Sequence, residues 1–150
     1  MDGAKYLRLV ELILDGPSRD ALWAWPRAFP VAEADVLRVR HHVTLWYHDR
    51  CPSEGLAEAW PEGSEHAVEP VGIARGLMAE ALVVRVAGRT HQLGRPDRLL
   101  HITLAFDAAV GGKPSDSVEL VASTPPNALL PAPPIFLRGK VSGRWADVSA

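Results

Sequence analysis

Apolar residues fall in short runs, cut by glycine, proline and charged turns. Tyr6 to Asp15 reads Tyr-Leu-Arg-Leu-Val-Glu-Leu-Ile-Leu-Asp, which alternates and then becomes almost wholly apolar. This predicts a strand with Val10, Leu12 and Leu14 on one face and Leu7, Leu9 and Ile13 on the other, so that both faces are covered. Gly16-Pro17-Ser18 breaks it. Asp20 to Trp25 predicts a short helix, opened by Pro17 or Ser18 and closed before Pro26. A strand is expected over Val36 to His48, then a short helix from Ser53 through Trp60, with Ser53 as cap and Glu54 in its first turn. Pro70 to Arg75 and Met78 to Ala87 read as strands with Gly76 between them. Gly88 to Asp97 reads as a polar loop, and Leu99 to Phe106 as a further strand. Ser115 to Ala122 predicts a helix, although Val118-Glu119-Leu120-Val121 equally suits a strand. Thr124 to Pro134 is a proline-rich loop. Ile135 to Val148 is the closing strand, with a kink expected at Gly139.

This order predicts one mixed α+β domain over residues 1–150, with largely antiparallel sheets. Two of its strands echo each other: His42-Val43-Thr44-Leu45-Trp46 and His101-Ile102-Thr103-Leu104-Ala105. Each reads histidine, β-branched residue, threonine, leucine. Strand alternation places His42, Thr44 and Trp46 on one face, and His101 and Thr103 on the matching face of the second copy. The echo suggests two lobes, each built around one motif strand, with both histidines and both threonines lining a cleft. By the same alternation His41 points away from His42, which makes it a surface residue or a neighbour of the site. His48 falls on the face of His42. His66 and His91 fall in polar loops and are expected in solvent.

Composition narrows the function classes. The chain is 47% hydrophobic and 23% charged, ordinary for a globular protein with a core. No apolar run approaches the roughly 20 residues of a membrane-spanning helix, and Met1-Asp2-Gly3-Ala4-Lys5 lacks signal-peptide form. A cytoplasmic monomer with no membrane partner is expected. The single cysteine, Cys51, excludes an intrachain disulfide and a cysteine-rich zinc site. A net charge of −2 argues against a broad nucleic-acid footprint. Basic residues nevertheless gather before each motif: Arg38, Arg40 and His41, then Arg89, His91, Arg95 and Arg98. A small anionic ligand suits this distribution. Gly111-Gly112-Lys113 lacks the rest of a nucleotide-triphosphate loop.

The paired motifs resemble the two-histidine (2H) phosphoesterase superfamily, marked by two His-x-Thr/Ser-x motifs in related lobes. The resemblance implies a bilobal fold of two largely antiparallel sheets, with short helices outside and a central cleft. Three stretches look like the cyclic phosphodiesterase domain of fungal and plant tRNA ligases: the approach to the first motif, the Pro70-Val71-Gly72-Ile73 strand, and the Pro134-Ile135-Phe136-Leu137-Arg138-Gly139-Lys140-Val141 ending. What this implies is hydrolysis of a 2′,3′-cyclic phosphate, on RNA ends or on nucleosides, in RNA repair or end-processing. If the tRNA-ligase likeness holds, a 2′-phosphate remains. His42 and His101 then act as general base and acid in an order left open, as histidine suits both roles near neutrality. Thr44 and Thr103 are implied to bind non-bridging phosphate oxygens. Trp46 can stack on a base or serve as a core residue. Arg98, with Arg95, can meet phosphate or stay solvated. No metal and no cofactor is required. A 2′–5′ RNA ligase-like activity, a non-catalytic module for phosphate-ended RNA, and a metal hydrolase using His41, His42 and His48 remain as alternatives.

Overall fold

Residues 5–26, 40–47, 55–113 and 115–147 are described by the computed structural model. Their elements run β1 (Lys5–Leu14), α1 (Gly16–Ala24), β2 (His42–Tyr47), α2 (Leu56–Ala59), β3 (Glu65–Arg75), β4 (Ala79–Val86), β5 (His91–Gln92), β6 (Arg95–Leu99), β7 (His101–Phe106), α3 (Asp116–Ser123) and β8 (Leu137–Asp147). The mixed α+β class holds, and every paired strand is antiparallel. His48, Cys51 and Ser53 lie outside the described residues, as does most of the approach to the first motif.

Among the described residues the two motif strands do not head separate sheets. Six strands form one sheet in the order β2-β1-β8-β3-β4-β7, and β5 and β6 form a small hairpin. The joint is β8, whose Gly139 pairs with Leu14 of β1 and with His66 of β3. The two motif strands therefore lie at opposite ends of the strand order. The sheet curls until those ends meet, and the Arg40 amide donates to the Thr103 carbonyl at 2.7 Å. The Gly88–Asp97 stretch is not a plain loop. Gly94, at φ +71°, turns the β5–β6 hairpin, a backbone region glycine enters without steric cost. His66 likewise sits in β3 rather than a loop, with its ring edge-on to buried Trp60.

Alternation on one face of the sheet builds the main core, with Val10, Leu12, Leu14, Val43, Leu45, Leu82, Val84, Ile102, Leu104 and Val141. Leu7, expected on the other face of β1, joins this core. Its strand pairs Leu7 with Trp145 and Leu9 with Arg144, so Arg8 is an extra residue that reverses the alternation. Helix α1 starts earlier than expected because Asp15 is its cap, accepting from the Ser18 amide at 2.8 Å, with Pro17 in the first turn. Segment Ser115–Ala122 resolves as helix: α3 lays Val121 on Ala74, Ala81 and Val83, on the face opposite the main core. No helix among the described residues is long and apolar enough to cross a membrane.

Gly139 does not interrupt β8. It is required by close approach, since a Cβ there would lie 2.6 Å from the Ile13 carbonyl oxygen and 2.9 Å from Leu12 Cγ. Gly139→Ala should therefore destabilise the fold by about 1–3 kcal/mol, the usual cost of overpacking. Urea unfolding measures this, and an unchanged midpoint would show that β1 and β8 separate without cost.

Candidate active site

Both motif strands carry the same local irregularity. In β2, Thr44 pairs with Glu11 and Trp46 with Val10, so Leu45 is an extra residue. In β7, Thr103 pairs with Ala81 and Ala105 with Glu80, so Leu104 is the extra residue. A β-bulge at the fourth motif position follows in each copy. The residue before each histidine is also bound alike: the Leu14 amide donates to the His41 carbonyl at 2.9 Å, and the Val84 amide to the Leu100 carbonyl at 3.1 Å. Histidine and threonine are half-buried in both copies, and the intervening Val43 and Ile102 are fully buried.

The bulge at Leu45 corrects one expectation. It turns Trp46 off the face of His42 and Thr44 and into the main core, where it is 7% exposed. Tyr47, 43% exposed, takes the face that unbroken alternation gives to Trp46. Arg98 sits 3.8 Å from Asp97 in an exposed ion pair. Arg95 is engaged at the end of the first motif strand, donating to the Tyr47 carbonyl at 2.7 Å, while Gln92 accepts from the Tyr47 amide at 3.2 Å. The motif strands thus pass in opposite directions, with Arg40 beside Thr103 at one end and Tyr47 beside the hairpin at the other.

Arg40 fastens this junction. It is 2% exposed and sits at φ +59°, a left-handed conformation uncommon outside glycine. Its Nε donates to the bulged Leu104 carbonyl at 2.9 Å, and its Nη1 to the Trp25 carbonyl at 2.7 Å and to the Leu22 carbonyl. Those last two acceptors lie at the C-terminal end of α1, where the Leu22 carbonyl also accepts from the Trp25 amide at 3.1 Å and the helix dipole favours a cation. One side chain thereby ties α1, the second motif and the residue two places before His42.

The two histidines meet different partners. His101 Nδ1 lies 2.9 Å from the Leu99 carbonyl, which only accepts, so Nδ1 carries the proton. Its Nε2 lies 3.1 Å from Ser117 Oγ, which is also 2.7 Å from Thr103 Oγ1. His42 Nε2 lies 3.4 Å from the Glu11 carboxylate, and Arg144 Nε is 3.7 Å from the other Glu11 oxygen. His41 does not point away. It lies in the bend before β2, where strand alternation does not apply, with its Nδ1 3.1 Å from His42 Nδ1.

Burial depresses both motif histidines. His42 is pushed down to about 4, mainly by burial, with His41, His101 and Arg144 adding like-charge repulsion. His101 is lowered by burial, against the Leu99 carbonyl, which favours its charged form. His41 is lowered by burial, with Glu11 pulling the other way. Among the described residues no group of three histidine, cysteine or acidic side chains is placed to hold a metal ion.

Glu11 and Ser117 escaped the sequence reading. Glu11 had a signal, a lone acid inside an apolar strand. Ser117 had none, because only the fold brings α3 over the second motif. Comparison with protein-family models, curated proteins and solved structures finds no match to the chain.

The depressed His42 makes stability depend on pH. Above the ordinary value of 6.5 the ring is neutral in folded and unfolded chains, and its contribution is fully present. Between there and about 4 the unfolded chain takes the proton first, so stability falls as pH falls. The loss should reach about 3 kcal/mol by pH 4. Urea unfolding at pH 7.5 and pH 4 checks this: His42→Gln should flatten the dependence, and an equally steep mutant would contradict it.

Proposed function

We propose that this protein is a metal-independent 2′,3′-cyclic phosphodiesterase acting on RNA ends or nucleoside 2′,3′-cyclic phosphates. One observation carries the reading: two His-x-Thr motifs, bulged alike and half-buried alike, lie on edge strands that the curled sheet brings together. Their resemblance to 2H phosphoesterase motifs supplies the reaction class, with the halves around β2 and β7 as its two lobes.

The chemistry follows from that arrangement. Water attacks phosphorus while one imidazole takes its proton. The bond from phosphorus to one ribose oxygen breaks, and the other histidine protonates that oxygen. Loss of the 3′ oxygen leaves a 2′-phosphate, the outcome the tRNA-ligase likeness favours. Thr44 and Thr103 hydroxyls take the non-bridging oxygens as charge develops. Arg144, beside Glu11, supplies positive charge at the first motif. Each proton transfer is typically worth about 10²–10⁴-fold in rate.

The test is turnover of cytidine 2′,3′-cyclic phosphate, with the product identified by phosphorus NMR. Wild type should form a single nucleoside monophosphate after exhaustive chelator treatment. His42→Ala and His101→Ala should abolish turnover while staying folded, and Thr44→Ala or Thr103→Ala should lose on the order of 10²-fold. Near-wild-type turnover by either histidine variant would defeat the mechanism.

The pH profile is a second check. Catalysis needs one imidazole neutral and the other protonated, and kcat/KM reports the free protein. Both values are lowered from 6.5, so the bell should peak on the acid side of 6.5. Its limbs belong to the coupled pair. A maximum above pH 8 would contradict the buried setting of the two rings.

A further inference from the structure

We propose that α3 is a flap closed over the second motif, and that a phosphate reaches His101 and Thr103 only when the flap lifts and withdraws Ser117. This rests on the phosphodiesterase reading and adds how its substrate gains access.

The second motif is satisfied by the protein's own serine. The Leu99 carbonyl, at 2.9 Å, keeps the His101 proton on Nδ1, so Nε2 is an acceptor. It faces Ser117 Oγ at 3.1 Å, which therefore donates to it. A hydroxyl has one proton. With that proton spent on His101, Ser117 Oγ accepts from Thr103 Oγ1 at 2.7 Å. The His101 lone pair and the Thr103 proton are what the mechanism offers to water and to a phosphate oxygen. Both are occupied, and Ser117 itself is 1% exposed. A phosphate at this motif and Ser117 in this position exclude each other.

The seat of α3 is a light one. Its buried side chains are Ser117 and Val121, one turn apart on the face toward the sheet. Half of that seat is thus polar, and its hydrogen bonds go to the two motif residues. Val121 rests among Ala74, Ala81 and Val83. Beside Val121 the packing opens. A groove of about 820 Å³ is lined by Val121, Ala122 and Thr124 of this segment and by Val83, Pro96 and Leu99 of the sheet and hairpin. The segment is pinned before and after α3, not along it. The Gly112 amide donates to the Asp107 carbonyl at 2.8 Å, and Leu130 exchanges backbone bonds with Ile73 at 2.8 and 2.9 Å. What lies between these pins lifts without unpairing any strand of the sheet.

Three measurements test the flap. Ala74→Cys with Val121→Cys, in a Cys51→Ser background, bridges α3 to the sheet when oxidised. Turnover of cytidine 2′,3′-cyclic phosphate should then fall at least about tenfold and return on reduction, because the competent population is removed. Ser117→Ala deletes the bonds that hold the flap shut. It should raise kcat/KM about three- to tenfold, the scale of one net hydrogen bond acting on that population. Inorganic phosphate at saturation should speed hydrogen exchange at the Leu120 and Val121 amides at least about tenfold, since so short a helix is marginal once off the sheet. Where the bridge fails to form or the pair fails to fold, the other two readouts decide. An oxidised variant as active as its reduced form, a fall in kcat/KM for Ser117→Ala, or bound phosphate with α3 exchange unchanged would overturn the flap alone. Phosphate-driven exchange without turnover of any cyclic nucleotide would remove the phosphodiesterase reading and leave the flap as the gate of an anion site.

Discussion

The structure depends on where the Arg40 guanidinium is satisfied. A buried cation is tolerated only when its donors find acceptors. Arg40 Nε finds one in the bulged Leu104 carbonyl, and its Nη1 finds two in the carbonyls at the end of α1. Its own amide bonds to Thr103, next to that bulge. A second tie lies at the other end of β2, where Tyr47 bonds Arg95 and Gln92 of the hairpin before β7. With both ties the edges are joined, and His42 and His101, 59 positions apart in sequence, stand on strands that meet. The left-handed backbone at Arg40 is the local strain that this junction sustains.

The bulges do a second job. A strand with unbroken alternation would have Trp46 crowding the face of His42 and Thr44. One extra residue sends Trp46 into the core and leaves Tyr47 outward. The same device at Leu104 keeps Ala105 and Phe106 buried while exposing a carbonyl for Arg40. The apolar residues that stabilise the motif strands and the polar residues of the candidate site are thus separated within six positions.

Much of this was legible in the sequence because period-two patterning is strong where one face is buried. The runs around Leu12, Val43, Val84 and Ile102 announced their strands, and the paired histidine and threonine marked the candidate site. What was not legible depends on tertiary contacts. No local pattern tells that β8 joins both halves through Gly139, or that a bulge reverses Trp46. The β5–β6 hairpin is too short and polar to have a hydrophobic period. His41 was misjudged because alternation was extended into a bend. Glu11 was visible as a charge in an apolar strand, but its partner required the register of β1 against β2. Ser117 is one serine among several until α3 is seen to pack on Ala81 and Val83.

The central claim is that one phosphate lies between the two motifs. A crystal structure with a nucleoside 2′-phosphate bound tests it most directly. The account predicts phosphate oxygens within hydrogen-bond reach of Nε2 of both His42 and His101, with the Thr44 and Thr103 hydroxyls on the remaining oxygens and Ser117 released from His101. Phosphate bound at one motif only, or away from both, would contradict it.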